Sequence, residues 1–246
     1  MTMRAGVRPP LRPSARQGIT TKPGAWGDLV LTLPVFLAYQ LGVIFLNVRN
    51  GSDIVTSRLL LLAAGDRLAY FGLTAGVGVA MTIVFALLGR GQVLRFGKLV
   101  QVVVEGAAYA LLMGTATSWI VGRLFAGPPL PTVDGPWAGL VMSMGAGFYE
   151  ELAFRVALFG LGAKLLAWLL RGKRAAFFVG TGAWAIACAM VFSGVHYLGS
   201  LGDAFEIQSF VARTVLGLAL TLVYGTRGFA AAVWTHALYD VWVLVL

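Results

Sequence analysis

The sequence predicts an all-α fold: a polytopic membrane helix bundle of about seven transmembrane helices (six to eight), plus a short interfacial helix. Three observations predict it. Of 246 residues, 59% are hydrophobic and only 12% charged, against roughly 45–50% and 25% in soluble domains. The mean hydropathy is +0.83. The apolar runs are each long enough to cross a hydrocarbon layer of about 30 Å.

Residues 1–26 (MTMRAGVRPPLRPSARQGITTKPGAW) are basic and Pro-rich with no apolar core. They are expected to form a flexible cytoplasmic tail, not a cleavable signal. A single transmembrane domain over 27–246 follows. Its apolar runs cover about 28–48, 68–89, 99–122, 138–161, 175–198, 207–225 and 228–246. The piece Ile54–Ala64 is too short to span and is expected to be interfacial or re-entrant.

Charge sets the expected orientation. The tail carries Arg4, Arg8, Arg12, Arg16 and Lys22; alternate loops carry Arg90, Arg95 and Lys98, then Lys164, Arg171, Lys173 and Arg174, then Arg227. The intervening loops are mixed: Arg49, Asp53, Arg58, Asp66 and Arg67; Arg123 and Asp134; Asp203, Glu206 and Arg213. Basic residues on every second loop predict a cytoplasmic N-terminus. The net charge of +9 is therefore a topology signal, and a nucleic-acid partner is excluded. The one cysteine, Cys188, excludes an internal disulfide and a Cys-based metal site.

Ionisable side chains inside a membrane cost at least about 2.5–3.5 kcal/mol each on insertion scales, so they are partnered or functional. They concentrate in the last four runs. The fourth contains Glu150, Glu151 and Arg155, the fifth ends Phe192-Ser193-Gly194-Val195-His196, and the seventh contains His236 and Asp240. Helical spacing pairs Glu151 with Arg155 and projects His236 and Asp240 into one cavity. Glu150 is expected to point about 100° away from Glu151 and to lack a partner. Phe192, one turn before His196, is expected to pack beneath its ring. His196 and His236 are the only two histidines of the chain. An isolated acid, Glu105 in the third run, is expected to hold helices together.

The blocks Glu150-Glu151-x-x-x-Arg155, Phe192-x-x-x-His196 and His236-x-x-x-Asp240 resemble, in order and spacing, the signature of the CPBP (CAAX protease and bacteriocin-processing, or Abi) family. These are glutamic-type intramembrane endopeptidases, including the type II CAAX prenyl endopeptidases. The resemblance covers about 138–246. It implies Glu150 and His196 as activators of water, His236 and Asp240 as stabilisers of the oxyanion, and Glu151, Arg155 and Phe192 as supporting residues. The family has Asn or Asp at the last position; its prenyl endopeptidases have Asn, whose amide donates a hydrogen bond. Asp240 donates only when protonated and otherwise orients His236.

No cofactor is expected. Zinc is the alternative, held by ligands from Glu150, His196, His236 and Asp240, although no His-Glu-x-x-His occurs. Ser193 lies near His196 but in no nucleophile motif. The expected partners are the lipid bilayer and a membrane-anchored or lipidated protein or peptide. Counted at roughly 1.5 Å per residue from the basic ends, the four site residues average to mid-membrane or its outer half. That depth favours a bacterial inner-membrane enzyme trimming anchored or exported proteins, while a prenylated CAAX substrate calls for a cytoplasmic opening. A bacteriocin-immunity or scaffold protein is the non-catalytic alternative. Nothing in the chain indicates its oligomeric state.

Overall fold

The computed structural model describes residues 24–46, 48, 50–89, 96–125, 135–199 and 202–246. Residues 1–23 of the basic tail, with Arg49, Arg90, Arg95 and Asp134, lie outside them. The helices are α1 (Ala25–Phe45), α2 (Ile54–Leu62), α3 (Arg67–Leu88) and α4 (Phe96–Leu124). They continue with α5 (Pro136–Leu169), α6 (Arg174–Val195), α7 (Ile207–Arg227) and α8 (Phe229–Leu244). No strand occurs among the described residues.

Six of these helices, all but α2 and α8, are long and apolar enough to cross a membrane. The chain is an integral membrane protein. The first helix begins at Ala25, two residues inside the expected tail, with the Trp26 indole donating to the Phe85 carbonyl at the end of α3. The fourth apolar run is longer than hydropathy suggests and continues to Leu169.

The last apolar run forms a shorter helix than the other six. Helix α8 has only 16 residues, about 24 Å of rise. It sits in the middle of the bundle against α1, α4, α5 and α7, and Ala230, Ala232, Val233 and Ala237 are fully buried. Its N-terminus is closed by a residue of another helix: Asp28 of α1 accepts a hydrogen bond from the Ala230 N–H at 3.1 Å. Gly228 precedes it at φ +102, where a Cβ would also meet the Asp28 carboxylate at 2.9 Å. The Trp234 indole donates to the Leu31 carbonyl at 2.9 Å, a second tie between α1 and α8.

Helix α5 departs from α geometry in its middle. Residues Ala146–Gly160 run as a π-helix of 15 residues, far beyond the single turn in which that form commonly occurs, frequently at functional sites. Gly147 lets it lie directly on α8, since a Cβ there would meet Ala237 and the Val233 carbonyl under 3 Å.

The short α2 is capped by Asp53, which accepts from the Thr56 N–H at 2.8 Å. It packs on α3, and α3 otherwise touches only α1 closely. Glu105 of α4 holds two helices together, as expected. Its carboxylate takes the Arg227 guanidinium of α7 at 2.7 Å and the Gln101 amide at 2.6 Å.

Candidate active site

The π-helical part of α5 buries Glu150, Glu151 and Arg155 in the bundle. Helix α6 ends at Val195 and leaves His196 as its C-terminal cap. The His196 Nδ1 lies 2.8 Å from the Phe192 carbonyl. A carbonyl only accepts, so Nδ1 carries the proton and Nε2 is the free face of the ring. Helix α8 adds His236 and Asp240. His236 is nearly closed off, at 7% side-chain exposure, whereas His196 (27%) and Asp240 (18%) are partly exposed.

The four candidate residues converge on one point. Glu150 Oε2 lies 3.8 Å from His196 Nε2 and 4.0 Å from His236 Nε2. Asp240 Oδ2 is 3.5 Å from that same His236 nitrogen. Both histidines thus present Nε2 to one carboxylate oxygen, and that oxygen is buried without a hydrogen-bond partner among the described residues.

Two features differ from the spacing argument. Glu150 is not without a partner, because Asn50 in the loop after α1 donates its Nδ2 to Glu150 Oε1 at 2.9 Å. Glu151 does not merely pair with Arg155: its Oε1 takes both Arg155 Nη1 at 3.1 Å and His236 Nδ1 at 2.8 Å. Adjacent glutamates reach the same imidazole from its two nitrogens. In the wider π turn, successive side chains diverge by less than the roughly 100° of an α-helix.

The supporting residues form a cage. Phe192 lies edge-on to His196 with ring centroids 5.1 Å apart, and to His236 at 6.0 Å. The Arg155 guanidinium sits over the Phe192 ring, 4.3 Å from its centroid, and reaches toward the Gly217 carbonyl. Ser193 donates to the Phe210 carbonyl at 2.8 Å and so joins α6 to α7. Among the described residues, no three or more His, Cys, Asp and Glu side chains are grouped to hold a metal ion.

Behind Glu150 lies a polar network that sequence reasoning did not single out. Tyr39 donates to Asp53 at 2.6 Å and accepts from the Asn50 backbone N–H at 3.1 Å. Gln40 donates to the Tyr149 hydroxyl at 2.7 Å and accepts from Tyr70 at 2.8 Å. A glutamine in the middle of an apolar run was the one signal available for it.

Residues 132–242 match the family model of type II CAAX prenyl endopeptidase Rce1-like proteins. This segment is an Rce1-like domain of the CPBP/CAAX protease family. The Rce1-like domain takes in Glu150, Glu151, Arg155, Phe192, His196, His236 and Asp240, while Asn50, Tyr39 and Gln40 lie outside it. The match supports, in general terms, a CAAX-type endopeptidase activity of the membrane, and so a peptide hydrolase. No curated protein and no solved structure matches the chain.

Proposed function

We propose that the chain is a glutamic-type intramembrane endopeptidase in which Glu150 and His196 activate water and His236 and Asp240 stabilise the oxyanion. The observation that carries this reading is the buried, unpartnered Glu150 Oε2 facing the Nε2 atoms of His196 and His236 at 3.8 and 4.0 Å. Atoms about 4 Å apart that share a water at about 2.8 Å subtend roughly 90° at its oxygen. A water held between Glu150 and His196 therefore keeps a lone pair free for a peptide carbonyl.

As the water oxygen bonds to the carbonyl carbon, its proton passes to Glu150. The carbonyl π pair moves onto oxygen. His236, held at Nδ1 by Glu151, donates from Nε2 to that oxyanion in its doubly protonated form. Asp240 acts on the oxyanion through the same nitrogen. Collapse reforms the carbonyl and breaks the C–N bond, and the proton on Glu150 leaves with the amine.

The partly exposed His196 and Asp240 lie toward the end of the bundle where α6 and α8 end and α7 begins, on the side of the loop after α1. With basic residues marking the cytoplasmic ends, this is the outer face of a bacterial inner membrane. The substrates are then anchored or exported proteins and peptides, cut near a C-terminal tail. The test is to map protein termini in cells carrying wild-type or Glu150→Gln protein at matched expression. Precursors that accumulate only with Glu150→Gln establish the protease and identify its substrates. Identical termini in both, with any wild-type phenotype preserved, sink it and leave a binding role.

A further inference from the structure

We propose that Asn50, which lies outside the Rce1-like domain, is a positioning residue that occupies one oxygen of Glu150 so that the other is aimed at the two histidines. The proposal rests on the protease reading above. Five hydrogen bonds make it specific. The Asn50 side chain is oriented unambiguously, since its Oδ1 accepts the Ser52 N–H at 2.8 Å and Nδ2 must then face Glu150 Oε1 at 2.9 Å. The Asn50 backbone N–H donates to Tyr39, and Tyr39 donates to Asp53. Asp53 in turn caps α2 through Thr56. The loop is thereby braced from both sides, by α1 and by α2, and Asn50 is buried within it.

The function of the brace follows from the freedom of a carboxylate. The last torsion of Glu is broad and two-fold, so an isolated carboxylate presents either oxygen to a neighbour. Glu151 and Asp240 also act on His236. A Glu150 free to turn would exchange its productive contacts for others. The Asn50 amide removes that freedom at Oε1 and leaves Oε2 as the base. Anchoring the loop needs only the Oδ1 and the backbone N–H of Asn50. The bond from Nδ2 is additional, and it separates a positioning role from a structural one.

Asn50→Asp makes that separation, because Asp keeps the acceptor for Ser52 and replaces the donor to Glu150 with a carboxylate. The full chain is expressed in cells, and the readout is the fraction cut of the precursor that accumulates most with Glu150→Gln. Asn50→Asp and Asn50→Ala are expected to slow cutting about 10- to 100-fold, as for loss of a hydrogen bond to a charged group. In detergent, Asn50→Asp is expected to lower Tm. Adding Glu150→Gln, whose amide can donate to Asp at position 50, is expected to restore at least half of that loss.

Additive Tm losses in the double variant overturn the contact, and with it the proposal. Asn50→Asp protein that cuts at the wild-type rate also overturns it, while leaving the protease reading intact. Wild-type and Glu150→Gln cells with identical termini overturn the protease reading itself, which takes the positioning role with it.

Discussion

Two carboxylates in this bundle are held in opposite ways. Glu105, between α4 and α7, is saturated: both its oxygens take the Arg227 guanidinium, and Gln101 adds another donor. Among the described residues, Glu150 has a single neutral donor on one oxygen and none on the other, which points at two imidazoles. An acid that serves only to join helices is neutralised by a cation. The proposed proton acceptor, by contrast, has no guanidinium on its carboxylate and is held by an amide. Arg155 shows the same division, because it is placed on Glu151, one residue along, and not on Glu150.

The sharpest way to break this comparison is Glu150→Gln. Cutting is expected to fall by about 10²–10⁴-fold, the range of general acid–base catalysis, with the protein still folded; a residual rate near wild type would make the two acids equivalent. Next is Arg155→Met, which leaves the Glu151 charge buried without its cation. A loss of about 3–5 kcal/mol is expected in unfolding from detergent. Stability near wild type would show that His236 alone satisfies Glu151. Tyr39→Phe removes the hydroxyl that links Asn50 to Asp53 and should cost about 1–3 kcal/mol, read in the same unfolding measurement.

Glu105→Gln is the control. It should cost only about 0.6–2 kcal/mol, as for other polar contacts between membrane helices, and leave precursor cutting unchanged. A defect in cutting at matched protein level would place Glu105 in the chemistry. Smallest of all is the response to a chelator: cutting should persist in membranes treated with excess EDTA or phenanthroline. Loss that added zinc restores would turn Glu150 from a base into a ligand.

The parts of the site that were legible in the sequence are those governed by helical spacing within one segment. Glu151 with Arg155, Phe192 with His196 and His236 with Asp240 are each four apart, and each pair meets in the structure. Asn50 was not legible. It is 100 positions from Glu150, in a loop with no periodicity to follow. The second contact of Glu151, to His236, was hidden because no pattern of side chains marks a π register in advance. The central place of α8 was hidden for another reason. Lipid tails are as apolar as a protein core, so hydropathy alone cannot tell a helix facing lipid from one enclosed by other helices.

The tie between Asp28 and the Ala230 N–H joins residues 202 positions apart, and it bears on how the protein is made. His236 and Asp240 leave the ribosome after Glu150 and His196, on a helix too short to settle across a bilayer by itself. In the folded bundle that helix is enclosed by α1, α4, α5 and α7, and its first turn is held by the Asp28 carboxylate of α1. Until that helix is in place, the two side chains it contributes to the cluster are missing. The cluster of Glu150, His196, His236 and Asp240 is therefore complete only when the last helix has docked.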